Sequence, residues 1–286
     1  MSGRERRLWG GTGRGAVSAL AALVGRGVHT SGAIVLAYHD VADGASADGA
    51  SAAEFTVSPA RLRAQLESAL GWGLRFVDAD SLVDDLRAGR AVDGLAAITF
   101  DDGLVGVHEH ALAVLRDLGL PATAFVVGAG WGERPEWSPR DRRTMTLPEL
   151  RDLVAAGVRI GSHGVSHRSL PQLDPVGVGR ELADSRASLE ELSGVPVDLL
   201  AYPFGDHSAA VRVAAADAGY RAAFGFANGR VVTGSDVYAL PRLCMSGRQR
   251  RARLAYHLAR PPGSWPPDPN AGDSAGVAAS VSSSYS

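Results

Sequence analysis

Short apolar runs alternate with helix-start signals along most of this chain, and that alternation restricts the fold more than any other feature. Ala33–Tyr38, Leu74–Val77, Ala96–Phe100, Ala122–Val127, Val158–Ser162, Leu199–Tyr202, Ala222–Phe226 and Tyr238–Leu240 read as buried strands. Each is short, apolar and bounded by turn residues. Helix signals fall between them. Ser58-Pro59 is an N-cap followed by proline in the first turn, and Asp80 caps a short helix through Leu86. Further helices are predicted over His108–Leu118, from Thr146 to Ala156, from Asp174-Pro175 through Leu192, and over Ser208–Ala218. Such alternation predicts an α/β fold with a parallel sheet, closed into a barrel. In barrels of this kind the working residues sit where strands end and βα-loops begin.

The informative strand ends carry His39, Asp101-Asp102, His163 with His167, Pro203-Phe204-Gly205 and Arg242. Most of these groups suit metal or acid–base chemistry. Asp101 and Asp102 place two like charges at the end of a hydrophobic strand, an arrangement that calls for a nearby cation or for different tasks. His163 and His167 are four apart beside glycine, so a helical turn would let them converge on one ion. With Asp102 as a third ligand they make a facial set that leaves positions open for water and substrate.

These residues resemble a known family. Thr99-Phe100-Asp101-Asp102-Gly103 and His163-Gly164-Val165-Ser166-His167 are similar to the first two motifs of the polysaccharide deacetylases of the NodB-homology type, carbohydrate esterase family 4. The resemblance runs from about Ile34 to Leu243. It implies an irregular (β/α) barrel and metal-dependent removal of N-acetyl, sometimes O-acetyl, groups from sugar polymers. Position by position it implies Asp101 as general base, with Asp102, His163 and His167 as ligands of a divalent metal. Zinc is the first choice; Co, Ni or Mn could replace it. Ala201-Tyr202-Pro203-Phe204-Gly205 looks like the third motif, in which the Phe204 backbone N–H would hold the oxyanion. The better-known form of that motif has an arginine where Ala201 stands, and that arginine orients the base. Arg242 is the candidate for the missing cation. The family's late Leu-x-His acid is also absent. His39, in Ala37-Tyr38-His39-Asp40, resembles the N-terminal Tyr-His element of a permuted branch and is preferred as general acid over His257. Trp131, Trp137 and Tyr202 are candidates for stacking on sugar rings or for packing the loop.

The implied reaction is hydrolysis of N-acetyl groups on amino sugars in a poly- or oligosaccharide or a glycan precursor. The same motifs leave open an O-acetyl esterase, a non-sugar amide hydrolase, or a carbohydrate-binding protein without turnover. Composition narrows the partners. The net charge of −2 gives no basic surplus for nucleic acid, and Cys244, the single cysteine, rules out an intrachain disulfide and a cysteine-based zinc site.

Three segments are expected: a leader over 1–31, the deacetylase domain over 32–260, and a disordered tail over 261–286. Arg4, Arg6 and Arg7 before the apolar run Ala16–Val24 outline a weak signal peptide, but Arg26 and the lack of a clean cleavage site favour an amphipathic helix. Peripheral membrane contact is compatible with it, and a cytoplasmic or membrane-surface location is favoured over export. Oligomeric state has no signature in the sequence.

Overall fold

The computed structural model describes residues 31–43, 55–138, 142–247 and 251–260. The expected leader (Ser31 apart) and tail lie outside these residues, as does most of the expected loop Val41–Glu54. The elements are β1 (Ile34–Tyr38), β2 (Asp40–Val41), β3 (Thr56–Val57), α1 (Pro59–Gly71), β4 (Arg75–Phe76), α2 (Ala79–Arg87) and β5 (Leu95–Phe100). A π-helical turn, Val107–Ala111, leads into α3 (Leu112–Leu118). Then follow β6 (Thr123–Val126), α4 (Leu147–Ala155), β7 (Arg159–Ser162), α5 (Pro175–Ser193), β8 (Leu199–Ala201), α6 (Ala209–Asp217), β9 (Ala222–Phe224), β10 (Leu243–Cys244) and α7 (Arg251–Ala259).

The sheet runs β10-β1-β5-β6-β7-β8-β9, every pair parallel. The strand–helix alternation therefore predicted the architecture correctly, but the closure differs from a regular barrel. β9 and β10 are the two ends of a curled sheet. The stretch Leu240–Cys244 crosses the gap: Leu240 bridges Phe224 of β9, and Leu243 pairs with Leu36 of β1. β5 is fully paired. β1 lies along one edge, while β4 takes the lower part of the other and β6 the upper.

Three sequence expectations shift. The cap of α2 is Asp78, which accepts from the Ser81 N–H, so Asp80 falls inside the first turn. Tyr238–Leu240 is not a strand, because Leu240 makes only an isolated bridge; the last strand is Leu243–Cys244. Arg242 thus enters that strand rather than ending one. The other caps hold: Ser58 and Ser208 accept from the third residue on, and Thr146 forms a capping box with Glu149.

Strand periodicity sorts the core into layers. Ile34, Leu36, Ala96, Ile98 and Phe100 pack with Leu62 and Leu66 of α1 and Leu150 and Leu153 of α4. Val35, Ala97, Phe125, Ala201 and Phe224 form a second cluster, which Leu82 and Val83 of α2 join. Residue 101 continues the period of 95, 97 and 99, so Asp101 points toward that second layer. Among the described residues, no helix is long and apolar enough to cross a membrane.

Candidate active site

The strand ends converge. A cavity of about 390 Å³ opens over the C-terminal ends of the strands, lined by His39, Asp102, His163 and His167 together with Phe55, Trp137, Phe204, Phe226 and Cys244. Asp101 and Arg242 are not in the lining. Both are fully buried beneath it.

Asp101 and Asp102 are neighbours in very different surroundings. Asp101 accepts two parallel bonds from Arg242: Nη1 to Oδ1 and Nη2 to Oδ2, each 2.7 Å. The fork is itself held by the Gly225 carbonyl at Nε (3.1 Å) and the Thr99 hydroxyl at Nη1 (3.2 Å). Burial alone would push the Asp101 carboxyl up, but the Arg242 guanidinium and then His163 outweigh it, and its pKa is lowered. Burial likewise opposes charge on Asp102, yet the imidazoles of His163 and His167 that face it hold its pKa well below the usual range.

Asp102 Oδ1 faces His163 Nε2 at 3.4 Å and His167 Nε2 at 3.3 Å. His163 Nδ1 lies 2.7 Å from the Ala201 carbonyl. A carbonyl only accepts, so Nδ1 carries the proton, and the lone pair of a neutral ring is left at Nε2, facing the carboxylate. In that state two electron-rich atoms face one another, an arrangement that a cation between them would satisfy. The donor atoms of Asp102, His163 and His167 lie within 4.8 Å of one another, and this oxygen-and-imidazole set fits a divalent metal. Position 201 thus contributes its carbonyl to the site although its side chain cannot supply the family's arginine.

Backbone conformation marks the same place. Asp102, His167 and Phe204 are the non-glycine residues with positive φ among the described residues (72°, 55° and 61°). Left-handed backbone costs energy outside glycine and persists where the surroundings fix it. The rings of Trp137 and Phe204 lie 4.4 and 4.7 Å from His167. Trp137 sits in the irregular loop before α4, which Arg142 ties to buried Asp40 (2.9 Å) and Arg143 ties to Glu149 by two 2.7 Å bonds.

Of the residues expected from sequence, His39, Asp102, His163, His167 and Phe204 line one cavity, and Arg242 reaches Asp101 beneath them. His257 lies on α7 and does not line the cavity. Trp137 lines it, whereas Trp131 packs against the core and Tyr202 is buried, donating its hydroxyl to the Tyr238 carbonyl. Sequence reading missed Phe55, Phe226 and Glu181. Phe226 fell inside a predicted strand, which Phe224 ends. Glu181, on α5, accepts from the N–H groups of Val165 (2.7 Å) and Ser166 (3.1 Å) and from the Ser166 hydroxyl, pinning the loop between the two histidines. Nothing local to Glu181 in the sequence signals that role.

Residues 88–223 match the family model described as polysaccharide deacetylase. The match includes Asp101, Asp102, His163, His167 and Phe204 but neither His39 nor Arg242. YxkH of Bacillus subtilis (strain 168), which is named for polysaccharide deacetylation, is 28% identical over 149 residues, covering 52% of this chain and 50% of that protein. A chitin deacetylase of Pestalotiopsis sp. is 31% identical over 98 residues, 34% of this chain and 30% of that one. The chain spans about half the length, or less, of the curated relatives it matches. Among solved structures, the Streptococcus pyogenes deacetylase PplD superposes with a TM-score of 0.68 at 20% identity, over 80% of this chain and 99% of that one. IcaB from Ammonifex degensii gives 0.68 at 23%, over 81% and 99%. At such identities the likeness shows the fold, a curled parallel half-barrel ringed by helices.

Proposed function

From the premise that this chain carries a polysaccharide deacetylase domain, we propose that it hydrolyses N-acetyl groups of amino sugars in a poly- or oligosaccharide or a glycan precursor. One observation carries the reading: two adjacent carboxylates held in opposite settings, Asp101 forked by a buried arginine and Asp102 facing two imidazoles.

A divalent cation, zinc by first choice, would be held by Asp102, His163 and His167, and it would supply Lewis-acid polarisation of the acetyl carbonyl. The chain's own residues do the rest. Asp101, kept ionised by Arg242, takes a proton from the attacking water, whose oxygen bonds to the acetyl carbon. The Phe204 N–H donates to the developing oxyanion. When the C–N bond breaks, His39 gives its proton to the leaving sugar amine, and acetate departs. Trp137 and Phe55 at the mouth offer apolar faces to a sugar ring.

The test is acetate release from N-acetylated chitooligosaccharides, poly-N-acetylglucosamine and acetylated xylan. Release from the first two supports the amide reading. Release from xylan alone would replace it with an O-acetyl esterase. His39→Ala is expected to keep its metal content and to lose about 10²-fold or more in kcat, the usual scale for a general acid; loss of metal instead would reassign His39 as a ligand. Glu181→Ala frees the loop between the histidines and is expected to weaken Zn²⁺ binding by about 10–100-fold, read by titration calorimetry.

A further inference from the structure

The proposed general acid and the partner of the proposed general base both pack on one side chain. The Phe226 ring lies 5.6 Å from the His39 ring at an interplanar angle of 24°, and the Arg242 guanidinium carbon lies 4.5 Å from its centroid. We infer that Phe226 is a positioning residue, the spacer that sets the His39 ring and the Arg242–Asp101 fork in register with one another. This rests on the roles given above to His39 and Asp101.

His39 has little else to hold it. A catalytic histidine is usually oriented by a hydrogen bond to its second ring nitrogen. Here Nδ1 of His39 is buried and has no hydrogen-bond partner among the described residues. Its orientation falls to ring packing against Phe226 and, at 5.0 Å and 57°, Phe55. Phe55 is 40% exposed at the mouth, so the interior support is Phe226.

Phe226 is itself fixed from several sides. It follows β9, and the preceding Gly225 donates its N–H to Leu240 and accepts from Arg242 Nε. Gly205, with φ 69°, packs so closely on Phe226 that a Cβ there would collide with its backbone N and its Cβ. The aromatic face is what a guanidinium and an imidazole both accept, the first through its charge and the second by stacking. An aliphatic side chain of similar size fills the space without either attraction.

The experiment compares Phe226→Leu, Phe226→Tyr, His39→Ala and Asp101→Asn for acetate release from an N-acetylated chitooligosaccharide, with thermal melts and NMR of the imidazole ring protons. Phe226→Leu is expected to lower kcat by about 10–100-fold with KM little changed, the scale of a displaced catalytic group. Phe226→Tyr should restore most of it. In a double mutant with His39→Ala the two losses should not add, because one acts through the other. Ring-current shifts on the His39 protons, assigned by their absence in His39→Ala, should move in Phe226→Leu and not in Phe226→Tyr. If His39→Ala and Asp101→Asn lose turnover while Phe226→Leu keeps it, the spacer role falls and the proposed function stands. If none of the three loses turnover, the proposed function falls. If this substrate is not turned over at all, the His39 resonances decide: unchanged shifts in Phe226→Leu overturn the inference.

Discussion

Arg242→Met is expected to cost this protein both stability and turnover. It leaves the Asp101 carboxylate fully buried without its counter-charge, and breaking a buried pair of this kind costs about 3–5 kcal/mol. The variant's response is to neutralise Asp101 by protonation, which removes the proposed base. Chemical denaturation should show the stability loss, and kcat should fall by about 10²-fold or more, as for a lost general base. The pH dependence follows from the direction of the shift. Asp101's folded pKa lies below its ordinary value, so the pair contributes stability above the ordinary aspartate range. That contribution is lost as pH falls through the folded value. Without Arg242 burial prevails, the folded pKa rises, and the acid limb of the kcat profile should move to higher pH. Arg242→Lys keeps a charge but not the two-pronged fork, and it should fall between wild type and Arg242→Met. Unchanged kcat in Arg242→Met would remove this residue from the working parts of the site.

The second large effect is expected from Asp102→Asn. Asparagine tolerates the left-handed backbone at this position (φ 72°) about as well as aspartate, so the fold is spared a strain penalty. What is lost is the negative charge between His163 and His167. The purified variant should carry little or no zinc by elemental analysis, and its turnover should fall by about 10³-fold, the several kcal/mol that a Lewis-acidic cation supplies. Stripping the wild-type protein with a chelator should reproduce the loss, and added Zn²⁺ should reverse it in the wild type but not in Asp102→Asn. A variant that retains both zinc and turnover would refute the assignment of Asp102.

What was legible in the sequence and what was not divide along a physical line. Strands such as Ala96–Phe100 are buried on both faces, so they appear as unbroken apolar runs, and caps such as Ser58-Pro59 are local devices. The convergence of His39, Asp102, His163 and His167 follows from a parallel sheet that delivers every strand end to one side. The last strand was misplaced because Leu240–Cys244 is held by neighbours far apart in the chain, β9 at its start and β1 at its end. Glu181 and Phe226 escaped for the same reason. Their partners are residues 165–166, 39 and 242, and only tertiary packing brings them together. The alanine at 201 read as a loss, yet the guanidinium that serves Asp101 arrives from another strand.

The crossing of Leu240–Cys244 between the sheet's two ends also sets an order of events. Asp101 and Arg242 are 141 residues apart in sequence, and the strand that brings in Arg242 is the last of the sheet. As the polypeptide is synthesised, Asp101 is made long before its counter-charge exists. A sheet that buried Asp101 before residue 242 docked would leave its carboxyl without a counter-charge and so favour the protonated form. The proposed base therefore gains its counter-charge only with the final seam of the barrel, and no fragment that ends short of that seam can hold Asp101 in the setting described. Contacts of such long range are slow to form, so recovery of activity on refolding should lag behind recovery of helical signal.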